Sequence, residues 1–407
     1  MHLLIRNSNF RMLWMGQVLS QAGIRMYQIA ILWWLLQQAG NNSGKAVGLF
    51  LVMGALPSLL FVKWVGSVVD RFSTQKILIG SDLVNGALVL GVGVLLQWEW
   101  LPIECAYLAG FLVASLQAFF DPAINKAVPL LVAKEDIEKA VAFQTSTQSL
   151  ANFGGAVAGA LLIGKMGISG VVLLNGLTYL LSAVCNRLLK FSVSAQASGP
   201  KEALPSGWGI LDGMPFVKRV LIGFGLVNFF STPTLVILPL YTSRELQAGP
   251  TTLGLLEAAL WLGLLAGTFS SSFVRFGQRL VALGGSCLAV MGLGLFLSGL
   301  IIHAVVYMGL LFSVGFALGI NNVKFVSFFQ QTVDSAIKGR FFALMQAMIS
   351  FTFPIAYFLF GALGDIFRPS QVCLIQGIGV MVVAVYFLSL SRLEDVLVSK
   401  TLLGSAP

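Results

Sequence analysis

Long apolar runs recur from one end of this chain to the other, and they fix the solvent in which it folds. Twelve can be read, at about 10 to 36, 47 to 69, 77 to 97, 104 to 126, 141 to 163, 169 to 189, 219 to 241, 252 to 274, 280 to 302, 304 to 327, 341 to 363 and 370 to 390. Each is long enough to cross a hydrocarbon core of ~30 Å as a helix. All exceed a barrel strand and none alternates strictly, which excludes a closed β-barrel. Only 10% of the 407 residues are charged and the mean hydropathy is +0.89, against roughly 25% charged in soluble domains. The expected fold is an all-α membrane protein of twelve transmembrane helices.

Charge placement orients the runs. Of the 25 Lys and Arg residues, seventeen fall in segments on the side of the N-terminus and four on the other, leaving Arg25, Lys63, Lys126 and Lys324 within or beside spans. The positive-inside rule then puts both termini in the cytoplasm of a plasma (inner) membrane protein. The formal net charge of +9 reflects this bias and contact with anionic lipid, and nucleic acid is not an expected partner. The first run exceeds a signal-peptide core and lacks a cleavage site.

The longest polar interruption divides the chain into an N-terminal bundle of six helices (1–190), a cytoplasmic linker (191–218) and a C-terminal bundle of six (219–407). The segments "EKAVAFQTSTQSLANFGGAVAGALL" from Glu138 and "GRFFALMQAMISFTFPIAYFLFGAL" from Gly339 match in pattern and position. Weak internal symmetry of this kind is what two transporter halves leave in a sequence.

Between spans 2 and 3, "GSVVDRFSTQK" places Gly66, Asp70, Arg71 and Lys76 in a G-x-x-x-D-R-x-x-x-x-K/R pattern. In this the chain resembles the major facilitator superfamily. The stretches "FRMLWMGQVLSQAG", "ILIGSDLV" and "DPAINKAVPLLVAKEDIEKAVAFQTSTQSLANFGGAVAG" resemble its branch of macrolide-efflux and enterobactin-exporter proteins. The second-half counterpart, "FVRFGQR" from Phe273, lacks the acidic residue. The resemblance implies two pseudo-symmetric six-helix bundles working by alternating access around a midplane site. It also implies a cytoplasmic gate in which Asp70 faces the start of span 11 near Phe341.

Within span 1, Gln17, Gln21, Arg25 and Gln28 step by four, four and three and share one helical face. An arginine at the bilayer centre costs at least ~2.5 to 3.5 kcal/mol, so this stripe faces the bundle interior or a wet cavity. Arg25 is the leading substrate-contact candidate; alternatively it pairs with an internal carboxylate and locks helices together. Lys126 and Lys324, near the inner ends of spans 4 and 10, form an anion funnel with Arg25 if they point inward, and otherwise snorkel to headgroups. A guanidinium suits an acidic ligand such as a hydroxycarboxylate siderophore.

Proton coupling needs a carboxylate that moves between wet and occluded surroundings. The candidates are Glu257 in span 8, Asp121 in span 4, which can pair with Lys126 or Arg25, and Asp82 in span 3, read mainly as a structural pair. Gly155 and Gly159 have the small-xxx-small spacing that permits close helix approach. Pro233 and Pro354 mark kinks. "GNNSGKA" fails as a phosphate loop, having Ala46 where Ser or Thr is required. Four cysteines on separate spans and two isolated histidines imply no disulfide or metal, and no cofactor is expected.

The expected activity is therefore secondary active transport, not enzymatic catalysis: proton-coupled export of an amphipathic, anionic small molecule of the siderophore kind by a monomer, with protons and membrane lipids as its other partners. Macrolide-type efflux and import of the same anion are the alternatives within that class. A lipid flippase or a non-transporting membrane sensor are the alternatives outside it.

Overall fold

Backbone amides and carbonyls have no partners in lipid except one another, so apolar runs of this length fold as helices. The computed structural model describes residues 2–133, 136–190, 215–271, 273, 280–333 and 337–403. Every regular element among them is helical: α1 His2–Arg6, α2 Ser8–Gln38, α3 Ser43–Leu60, α4 Val62–Arg71, α5 Thr74–Gln97, α6 Ile103–Leu131, α7 Ile137–Arg187, α8 Pro215–Ser231, α9 Thr234–Arg244, α10 Pro250–Ser270, α11 Leu280–Leu300, α12 Ala304–Thr332, α13 Lys338–Ile366 and α14 Pro369–Leu403. Ten helical stretches are long and apolar enough to cross a membrane. The expected linker up to residue 214 and most of the "FVRFGQR" segment lie outside the described residues.

The difference from the expected twelve lies at two helices. The polar stripe on α2 keeps that helix out of the ten, and α7 holds two spans. Its first stretch runs parallel to α2: Phe143 meets Phe10 at 6.4 Å between ring centroids, Gly155 packs on Ala22 and Arg25, and Gly159 packs on Met26. Its last stretch runs the other way, with Asn175 and Thr178 beside Gly23, and Ser182 and Cys185 beside Gly16. The reversal comes at Gly167, whose φ of 73° and ψ of 177° interrupt the helix in a conformation open mainly to glycine.

Two expected spans are divided. Span 2 breaks at Phe61 into α3 and α4, four residues after Pro57 removes an amide donor from α3. Span 7 breaks at Thr232–Pro233 into α8 and α9. By contrast α13 runs through Pro354 without interruption, and α14 continues past the expected end at 390.

The chain forms two compact units. One comprises Met1–Glu202 with Ala248–Ala258, the other Ala203–Gln247 with Ala259–Pro407. They differ from the six-plus-six division at Ala248–Ala258, the first half of α10, which groups with the first unit. In the first unit, Gly86 packs on Leu180 and Gly93 on Leu173, joining α5 to the last stretch of α7. In the second, Gly285 packs on Leu388, Gly292 on Met381 and Gly299 on Leu374, joining α11 to α14. Spans 3 and 6 thus meet as spans 9 and 12 do, on glycines seven residues apart. This parallel, on spans other than those of the sequence repeat, is carried by the contacts of small residues.

Among the described residues of the second unit, α10 and α12 approach most closely at their glycines. A Cβ on Gly263 or Gly267 would collide with the carbonyl oxygens of Phe312 and Phe316, and one on Gly315 or Gly319 with those of Leu260 and Leu264. Beside this seam lies an aromatic core, with Phe329 and Phe341 at 4.9 Å and Phe325 and Phe387 at 5.2 Å between centroids. Overpacking a fitted contact costs about 1 to 3 kcal/mol or more. Gly263→Val is expected to lower the apparent melting temperature in detergent, whereas Gly91→Ala, with nothing within 4 Å of its added carbon, is expected to leave it in place.

Candidate functional site

The polar stripe of α2 is turned inward. Gln17 and Arg25 are buried, Gln21 and Gln28 are half-buried, and every residue from Ile29 to Leu35 is buried. Arg25 reaches its position because Gly155 of α7 lies against its Cβ. Three residues before Glu257, Gly254 of α10 lies against Ala156 and Ala160 of the same stretch of α7. Small residues on α7 and α10 therefore bring α10, with its carboxylate, up to the arginine of α2.

There Arg25 Nη2 donates to Glu257 Oε2 at 2.6 Å and Nη1 donates to Gln28 Oε1 at 2.8 Å. The side chains of Arg25 and Glu257 are 9% and 0% exposed, and Oε1 of Glu257 accepts no hydrogen bond. Two candidates that the sequence presents 232 residues apart are thus one ion pair inside the first unit. At this depth each charge makes the other tolerable, because an ion removed from water without a partner costs several kcal/mol.

The remaining candidates fall elsewhere. Lys126 donates from Nζ to the Val69 carbonyl at 2.9 Å and pairs with Asp70 Oδ1 at 3.1 Å, which ties α6 to the end of α4. In this loop signature Gly66, Asp70, Arg71 and Lys76 are all exposed. Ser73 caps α5 by accepting from the Lys76 amide at 3.3 Å. Asp121 does not pair with Lys126 or Arg25; it accepts from Gln117 one turn earlier, at 2.6 Å, since Lys126 is held by α4 and Arg25 by Glu257. Asp82 is buried and accepts from Asn186 Nδ2 at 2.8 Å. Lys324 is half-buried on α12, in the second unit.

One group was missed in the sequence. Asn175, Tyr179, Ser182 and Asn186 step by four, three and four along the last stretch of α7, and all four are buried. The spacing is the same signal that exposed the α2 stripe, but without a charge to draw attention.

Removing one partner of a buried pair costs about 3 to 5 kcal/mol, while replacing both by apolar groups can be neutral. Arg25→Gln and Glu257→Gln are each expected to lower unfolding stability by that amount. Arg25→Met with Glu257→Leu is expected to recover most of it in a double-mutant cycle. For Lys126→Ala, which removes an exposed pair, the change expected is under about 1 kcal/mol.

Known proteins bear on this arrangement. The family model of the Major Facilitator Superfamily matches residues 13–351. Macrolide efflux protein A of Streptococcus pyogenes is 24% identical over 389 residues, covering 92% of this chain and 94% of that protein. Its namesake from Enterococcus faecalis is 24% identical over 317 residues, covering 75% and 96%. Among solved structures, a bacterial homologue of the iron transporter ferroportin in its inward-facing state superimposes with a TM-score of 0.74 at 15% identity, covering 94% of this chain and 98% of that one. A family match over most of the chain, many apolar helices and the fold of known transporters lead to one conclusion: this chain is a multi-pass membrane transporter and belongs to the Major Facilitator Superfamily.

Proposed function

We propose that the protein exports a bulky amphipathic small molecule of the macrolide class in exchange for protons, with Glu257 as the proton-carrying carboxylate and Arg25 as its charge partner. The observation that carries this reading is the buried ion pair at 2.6 Å. A proton arriving at Glu257 cancels the charge that Arg25 depends on, so protonation and a rearrangement of α2 against α10 become one event. Coupling requires such a link between a titration and a packing change.

Substrate class follows from the charge balance. Two cations of the anticipated anion funnel are engaged by carboxylates, Arg25 by Glu257 and Lys126 by Asp70, which favours a neutral or cationic amphipathic cargo over an acidic one. The two relatives named as macrolide efflux proteins support the same direction. We assign the exposed Asp70 and Lys126 pair, with Gly66, Arg71 and Lys76, to the cytoplasmic gate of an inner-membrane protein with both termini inside. A second reading, export of an acidic siderophore-type molecule, is favoured by the guanidinium itself: once Glu257 is protonated, Arg25 can accept a substrate carboxylate in its place.

Everted vesicles with an acidic interior test both readings. Wild type is expected to accumulate a labelled macrolide when the pH gradient is imposed. Glu257→Gln is expected to lose gradient-driven accumulation while the macrolide still raises its apparent stability, as any ligand of the folded state must. Gradient-driven uptake that persists in Glu257→Gln removes this residue from coupling. Stabilisation of wild type by catechol or citrate-type siderophores, absent in Arg25→Gln and absent for macrolides, transfers the assignment to the acidic substrate.

A further inference from the structure

The three carboxylates anticipated as proton carriers have different surroundings. Glu257 is buried and meets Arg25, and Asp82 is buried and accepts from Asn186. Asp121 is exposed, although α6 is among the helices long and apolar enough to cross a membrane. No described Lys, Arg or His nitrogen lies within 4.0 Å of its carboxylate. A charge inside a span does not face lipid, where it costs at least ~2.5 kcal/mol. Asp121 therefore faces water, with no cation of the described chain beside it.

The helix face that carries Asp121 favours a positive charge. Gln117 Nε2 donates to Oδ1 at 2.6 Å across one turn, which holds the carboxylate in place while Oδ2 accepts nothing from the described residues. Pro122 and Pro129 lie within α6 and have no amide, so the Ala118 and Asn125 carbonyls lose their helical donors. Residues 118, 121 and 125 step by three and four and share one side of the helix, which adds negative partial charge there. Lys126, the nearest base in sequence, is engaged elsewhere, its Nζ held by the Val69 carbonyl and Asp70.

One turn on, at Asn125, a cleft of about 310 Å³ opens between α6 and the first stretch of α7. It is lined by Asn125, Val128, Pro129, Val141, Gln144 and Gln148, and Gln144 Nε2 donates to Asn125 Oδ1 at 3.2 Å. Ligand pockets run from roughly 300 to 1,000 Å³, so this one takes a single ring of a bulky molecule and not the whole. Its walls carry no charge, and the carboxylate stands one turn from its edge. We propose that Asp121 binds a protonated amine of the cargo, with the amine-bearing ring, such as an amino sugar, seated in this cleft. The site rests on the reading that the protein exports an amphipathic molecule, and it narrows that cargo to a cation. It also gives Asp121 to the substrate and leaves proton coupling to Glu257.

The test is equilibrium binding of labelled ligands to the purified full-length protein. The probes are a macrolide with a tertiary amine on its sugar, the same macrolide with that nitrogen demethylated and acetylated so that it is neutral, and an unrelated hydrophobic dye carrying a dialkylamine. Wild type is expected to bind the amine-bearing macrolide at least about tenfold more tightly than the neutral form. Asp121→Asn, which keeps the shape at an exposed position and removes the charge, is expected to bind both forms with the weaker affinity, whereas Asp121→Glu keeps the preference for the amine. A purely structural role would not move the ratio between the two forms. Equal binding of the two forms by wild type overturns the site, as does a preference left intact in Asp121→Asn, or wild type that binds no amine at all. Asp121-dependent binding of the dye without binding of either macrolide supports the site and overturns the macrolide reading instead.

Discussion

Close approach of helix backbones is the constraint on which the rest of this structure depends. Between apolar helices surrounded by lipid there is little hydrophobic gain, so cohesion comes from van der Waals contact and from what small residues allow. The seams built on Gly86 and Gly93, on Gly285, Gly292 and Gly299, and on the four glycines between α10 and α12 are the solution here. Gly155 and Gly254 extend it to the charges: without them α2 and α10 would stand too far from α7 for Arg25 and Glu257 to meet.

The polar interior then follows from what that packing encloses. A charge that could not face lipid is met inside the first unit by a carboxylate from α10. Helix ends are tied by the same economy of partners. Asn7 caps α2 by accepting from the Phe10 amide and donates to the Leu131 carbonyl at 2.6 Å, while the Gln75 side chain donates to the carbonyls of Asn186, Arg187 and Leu189 at 2.9 to 3.2 Å. These contacts supply acceptors and donors that a helix end lacks within itself.

The all-helical class, the membrane setting and the family were legible in the sequence because each leaves a periodic or spaced trace: apolar runs of a given length, a loop signature and a stripe with a repeat near four. The interior face of Arg25 could be read for the same reason. Its partner could not, because pairing across 232 residues leaves no local pattern, and weighing each charge separately led to an anion funnel that the ion pairs of Arg25 and Lys126 largely neutralise. A count of mid-span charges of opposite sign would have drawn Arg25 and Glu257 together. The uncharged stripe on α7 was hidden among ordinary residues, though its spacing was there to find. The division of α10 between the two units follows from tertiary contacts alone.

The turn at Gly167 reaches beyond folding. Spans 5 and 6 are joined by one non-helical residue with a positive φ, not by a loop, so this edge of the molecule has no slack. An inserted epitope, a protease site or a labelling tag there has no backbone to occupy without unwinding one of the two spans. Topology mapping and antibody access at this end of the molecule must therefore use other connections, such as the exposed segment at Trp98 and Trp100.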